Sequence, residues 1–178
     1  GVSLNCAGYT INYSQSAAGF GIQDMSDSYD SFVIKDCNIV QGSAIIGSYG
    51  IYLLNPDFGI INNNTVRTRG ISSDVIRLES ADTNNNITNN NIISNGTTSR
   101  GILLSTGSNL NNIINNTINI TGTSAYGFYF SGSDSNTVTN NNFTTRGGVG
   151  YGVYFASTND FNVIDKNNIT TVNSNGVY

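Results

Sequence analysis

The amino-acid sequence predicts an all-β fold, a single-stranded right-handed parallel β-helix (a solenoid) of about six to seven coils of roughly 26 residues. Three observations carry the prediction. Apolar residues recur in three columns of common period. Within each unit, apolar and polar residues alternate as they do along a strand. Turn residues (Gly, Ser, Asn, Asp) separate the short strands, and no stretch carries a helical apolar stripe.

The first column closes each Asn-rich cluster: Ile39, Val66, Ile92, Ile118, Phe143 and Ile169. A second lies five residues earlier: Ile34, Ile61, Ile87, Ile113, Val138 and Ile164. The third is Ile22, Ile51, Ile76, Ile102, Phe128, Val153 and Val177, usually preceded by Gly, as at Gly50, Gly101 and Gly127. Strands this short cannot bury a face alone, so the units must stack, each strand pairing with its equivalent one coil away. At about 4.8 Å per strand the coils build a rod roughly 30 Å long. A β-sandwich would not demand the same residue type at the same phase six times.

Length and composition bound the function. Residues 1–178 fit one parallel β-helix domain. The chain has 30 Asn and 20 Gly, one Pro, no His and no Trp, and Glu79 is its one glutamate. Charged residues make up 10%, against roughly 25% in ordinary domains. Such a chain could be disordered, but 38% of its residues are hydrophobic and regularly placed, which argues for a packed fold. A net charge of −4 with seven scattered Lys and Arg argues against nucleic-acid binding. No apolar run approaches the 18 or so residues of a membrane span, so no membrane insertion is expected within this segment. The Asn-rich, Lys/Glu-poor surface points to an extracellular or cell-surface location.

Two residues before the first column stand Cys37, Asn64, Asn90, Asn116, Asn141 and Asn167. Asn tolerates left-handed backbone, and stacked amides hydrogen-bond along a rod, so Asn64, Asn90, Asn116, Asn141 and Asn167 are read as a structural column.

The opening Leu4-Asn5-Cys6-Ala7-Gly8-Tyr9-Thr10-Ile11, the segment Val33-Ile34-Lys35-Asp36-Cys37-Asn38-Ile39 and the repeated Gly-Ile-Tyr and Asn-Asn-Thr-Ile units resemble the pectin-lyase-like superfamily. The likeness is to its β-helix-repeat members, which are extracellular and cell-surface proteins and periplasmic proteins of copper-enzyme maturation. It covers the whole chain and is one of coil grammar, so it implies fold far more than function. The superfamily includes polysaccharide lyases, glycoside hydrolases, adhesins, phage spikes and structural proteins. Its hydrolases place two or three Asp on one face with a nearby His and a basic residue, and its lyases use Ca²⁺-binding acids with an Arg or Lys base.

Against those sets, this chain lacks the His. Its acids do form a column, Asp30, Asp57, Thr83 (with Asp82 beside it), Asn109, Asp134 and Asp160. Carboxylates one coil apart would lie near 5 Å, close to a retaining glycosidase pair. Asp134 and Asp160 are weak candidates for a Ca²⁺ site. The favoured reading is turn chemistry, because each Asp sits where an Asx side chain caps its own backbone. Asp24, Asp27 and Asp30 read as a solvated loop, with a cation site as the alternative. Arg67, Arg69, Arg77 and Arg100 phase differently around the coil and form no evident base beside the acids.

The outward residues of the Gly-led strand are Gln23, Tyr52, Arg77, Leu103, Tyr129, Tyr154 and Tyr178, with Tyr49, Tyr126 and Tyr151 just before the glycines. Tyr52, Arg77, Tyr129 and Tyr154 are the ligand-binding candidates, since tyrosines on a flat face stack on sugar rings. Stacking of these rings on one another to hold the sheet is the favoured alternative. Cys6 is assigned to the phase of the Ile34 column and Cys37 to the Asn column. Two buried thiols are expected there, with a disulfide as the alternative. Of eight Asn-x-Ser/Thr triplets, those at Asn95 and Asn119 lie off the turn columns and are the glycosylation candidates.

The chain opens in Val2-Ser3-Leu4 and stops at the start of a new coil with no polar cap. An excerpt of a longer solenoid is expected, with an uncapped unit assembling head to tail as the alternative. The function these features favour is a non-catalytic extracellular or cell-surface stalk or adhesive module in contact with glycan. No cofactor is implied beyond the Ca²⁺ alternative, and the expected partners are a polysaccharide or surface glycan, or a second copy. The alternatives are a polysaccharide lyase or hydrolase using paired Asp, and a filament subunit.

Overall fold

The computed structural model describes residues 1–25, 31–173 and 175–178. Asp27 and Asp30 lie outside the described residues. The chain winds as a right-handed parallel β-helix of about seven turns. Each turn gives one strand to each of three seven-stranded parallel sheets. Sheet A begins at Val2–Asn5, sheet B at Thr10–Tyr13 and sheet C at Ile22–Asp24. Among the described residues no helix is long and apolar enough to cross a membrane.

The three apolar columns are the interior. Ile61 pairs with Ile87 and Ile87 with Ile113 in sheet A, and Ile92 pairs with Ile118 in sheet B. Ile76 pairs with Ile102 and Ile102 with Phe128 in sheet C. All of these are fully buried or nearly so. Parallel pairing sets like on like, so one β-branched side chain per strand suffices to build a continuous dry row. The glycines before the sheet C strands mark a close approach. A Cβ at Gly101 would lie 2.6 Å from the Gly127 carbonyl oxygen, and one at Gly127 equally close to that of Gly152.

Each corner of this triangular section carries its own polar ladder, which answers the need of buried turn backbone for partners. At the corner from sheet A to sheet B, the Asn90 backbone N–H and its Nδ2 both donate to Asn116 Oδ1, at 2.9 and 3.0 Å. The same Nδ2 also donates back to the Ile61 carbonyl at 2.9 Å. Asn64, Asn116 and Asn141 repeat the pattern, ending on Asn167. A second ladder at the corner from C to A runs Asn85, Asn111, Asn136 and Asn162. At the corner from B to C, serines serve: Ser48 N–H donates to Ser73 Oγ, and Ser73 N–H to Ser99 Oγ, both at 3.1 Å.

The left-handed residue is not the ladder Asn but the one before it. Asn63, Asn89, Asn115 and Asn140 have φ of 54, 58, 60 and 57°, and Phe58, Asn84, Leu110, Ser135 and Phe161 hold that place at the other Asn corner. The turn reverses at this residue, and the following Asn then faces inward.

Cys6 and Cys37 form a disulfide, with Cα atoms 4.7 Å apart, where two buried thiols were expected. The phase assigned to Cys6 was also wrong, because Leu4 pairs with Ile34, 30 residues on, so Cys6 lies two residues past that column. It enters a turn through Ala7 and Gly8, both left-handed, that folds over Cys37. Cys37 holds the first rung of the Asn column, where its N–H donates to Asn64 Oδ1. The disulfide therefore joins the first coil to the second where the other coils use an amide.

Candidate functional site

Sheet C presents one unbroken file of contacting side chains along its outer face. Phe20, Tyr49 and Tyr52 pack with ring centroids 5.4–5.5 Å apart. The Arg77 guanidinium lies over Tyr49 at 5.1 Å and over Tyr52 at 5.6 Å, both cation–π contacts. Arg77 also pairs with Asp74 at 3.2 Å and with Glu79 at 2.9 Å. Asp74 in turn meets Arg100 at 3.3 Å, and Arg100 covers Tyr129 at 4.7 Å. From there the rings continue: Tyr129 to Tyr154 at 5.2 Å, and Tyr154 to Tyr178 at 5.2 Å and nearly parallel. Tyr126 and Tyr151 stack beside them at 5.9 Å.

The sequence candidates Tyr52 and Arg77 thus touch, and so do Tyr129 and Tyr154, while Asp74 and Arg100 join the two pairs. The acid that Arg77 and Arg100 meet, Asp74, stands outside the turn column of acids that the sequence singled out. Asp74 and Arg100 are 26 residues apart, so they sit at equal phase in successive coils, a signal present in the sequence. Leu103, in the same outward row as Arg77, is 3% exposed although it stands apart from the interior cluster. Outer side chains cover it.

The electrostatics of the file are balanced. Asp74 is fully buried and accepts from the Arg100 backbone N–H at 3.0 Å as well as from both guanidiniums. Burial pushes its carboxyl above the usual range, against the pull of Arg100 and Arg77. Burial likewise raises the Tyr52 hydroxyl, which donates to Glu79 at 3.2 Å.

The acid column at the corner from C to A has a different occupation. Asp57 Oδ1 accepts from the Thr83 N–H at 2.7 Å and from the Thr83 hydroxyl at 2.6 Å. Asn109 Oδ1 accepts from the Asp134 N–H, and Asp134 Oδ1 from the Asp160 N–H at 2.7 Å. Each side chain caps the backbone of the next coil, a task that Asn109 performs as well as an acid does. Asp82 is fully buried beside this column, where Ser108 and Ser133 hold the same place in the following coils. Burial pushes its carboxyl up to about 9, and Oδ1 has no partner. Among the described residues no three His, Cys, Asp or Glu side chains gather as a metal site.

Asn95 and Asn119 are exposed at sheet B, where with Arg67, Thr68, Arg69, Ile93 and Thr121 they line a shallow pocket of about 210 Å³. Compared with known proteins, residues 3–178 match the model of a family described as periplasmic copper-binding protein (NosD). No curated protein and no solved structure matches the chain.

Proposed function

The chain belongs to the NosD family, and from that premise we propose that it is a non-catalytic stalk or adhesive module outside the cytosol whose sheet C face contacts glycan. The observation that carries this reading is the file from Phe20 to Tyr178, in which tyrosine rings and paired arginines form a continuous surface across all the coils. Tyrosine offers a flat apolar face and a hydroxyl at its edge, the combination a pyranose ring needs. With Arg77 and Arg100 matched by Asp74 and Glu79, the face suits an uncharged sugar chain. The Cys6–Cys37 disulfide and the periplasmic description of the family support an oxidising compartment.

Copper, which the family description names, is not part of this proposal. Copper sites draw on imidazole, thiolate and thioether donors. This chain has no His, both cysteines are oxidised, and its one methionine, Met25, is exposed. That donor set does not fit the metal.

The test is binding to a panel of neutral and acidic polysaccharides, with product analysis on the same samples. Uncharged glycans should bind, and Tyr129→Ala with Tyr154→Ala should abolish that binding while the β-sheet circular dichroism is kept. Release of reducing or unsaturated ends, lost on Asp134→Asn and Asp160→Asn, would instead make the protein an enzyme of the acid column.

A further inference from the structure

We propose that the outer face of sheet B is a second binding surface, for a linear anionic polysaccharide lying along the rod axis. The argument begins from where charge is placed. The chain carries 11 acids and 7 bases, yet none of the seven sheet B strands contains an acid. Arg67 and Arg146 stand in those strands, and Arg69 follows directly after Thr65–Thr68. All three are exposed, and among the described residues none has an acidic partner within ion-pair distance. The acids nearest in sequence are occupied: Asp74 pairs with Arg77 and Arg100, and Asp134 accepts from the Asp160 N–H.

The register gives these cations an order. Thr68 pairs with Ser94, Ser94 with Ile120 and Ile120 with Thr145. The next residues in each strand direction are therefore Arg69, Asn95, Thr121 and Arg146, one row parallel to the axis. Two guanidiniums end the row, about 14 Å apart over three coils, and an amide and a hydroxyl stand between them. Beside it runs Arg67, Ile93, Asn119 and Thr144. The pocket of about 210 Å³ lies between the two rows.

A guanidinium pairs with carboxylate or sulfate through two parallel N–H bonds, and Asn and Thr serve the hydroxyls between charged groups. The net charge of −4 does not oppose this at physiological salt, since charges on the far faces are screened beyond about 8 Å. A nucleic acid is the poorer fit, because the face offers three cations and no aromatic ring for a base to stack on.

The test uses the whole chain, produced in a host that does not modify Asn95 or Asn119, and four probes: heparin, alginate, uncharged dextran and single-stranded DNA. Heparin and alginate should bind, with affinity falling as salt rises. Arg67→Gln, Arg69→Gln and Arg146→Gln together should weaken both by about tenfold or more. Tyr129→Ala should leave them unchanged, which separates this surface from the one on sheet C. Equal binding by the triple variant, a preference for DNA, or no binding of either acidic polymer would overturn the proposal.

Discussion

Sheets B and C are built from the same repeat, with equally regular interior rows, yet their outer faces are opposites. Sheet C gathers tyrosines and closes its arginines onto Asp74 and Glu79. Sheet B shows Asn and Thr and leaves its arginines unmatched. The interior row admits only side chains that stack on their like, whereas the outward residue next to it in the strand is bound by no such rule. The solenoid therefore separates what holds it up from what it displays.

The severest challenge to that separation is a change to what both faces share. Asn116→Ala leaves the Asn90 N–H and the Ile87 carbonyl without their side-chain partners. The expected loss is about 3–5 kcal/mol, read as a drop in the denaturation midpoint, and binding on both faces should weaken together. If one face survives intact, the coils are not mechanically joined.

Asp74→Ala converts one face toward the other. It leaves two guanidiniums without their buried partner, at an expected cost of about 3–5 kcal/mol. Retention on heparin should rise as Arg100 becomes an unmatched cation on sheet C, Arg77 keeping Glu79. Unaltered retention would mean that pairing does not set the difference between the faces.

Asp82→Asn belongs to neither face and should act through pH alone. With the folded carboxyl at about 9, the native state keeps a proton that the unfolded chain releases above its ordinary value near 3.9. Stability is therefore fullest below that value, declines as pH rises, and levels off past about 9. The Asn variant should be more stable at pH 7 and flatter across pH 5–9 in thermal melts. A wild-type midpoint independent of pH over that window would refute the assignment.

Tyr129→Ala should cost about 1 kcal/mol, from its ring contacts with Tyr126 and Tyr154 and its place under Arg100. Its larger effect should be on neutral-glycan binding. The smallest change in stability is expected for Arg67→Gln, within about 0.5 kcal/mol, since the side chain is exposed. A larger shift in midpoint would show Arg67 holding the fold instead of displaying charge.

The interior was legible in the sequence because stacking enforces one residue type per phase, as in Ile61, Ile87 and Ile113. The first coil was not. Thirty residues separate Leu4 from Ile34, but 28 separate Ile11 from Ile39, so no single period places Cys6 opposite Cys37. The second Asn ladder could have been found, since Asn85, Asn111 and Asn136 precede their column by two residues as Asn64 and its successors do. On the outer faces the signal was weaker. Asp74 and Arg100 share a phase, but the charged pair does not recur in the following coils, where Tyr126 and Tyr151 take the place. Only coordinates show that the ion pair and the rings are continuous.

The Asn ladders also bear on how such a rod can change its length. Each internal rung such as Asn90 or Asn116 receives from the coil before and gives to the coil after, so an internal coil meets its neighbours through identical sockets on both sides. A segment such as residues 91–116 can be duplicated or lost in the gene with its bonds reinstated at the new junction. The cystine-bearing first coil has no such freedom, because a copy inserted midway would bring half-cystines to rungs that expect carboxamides. Tandem duplication is thus open to the body of the rod and closed to its first turn.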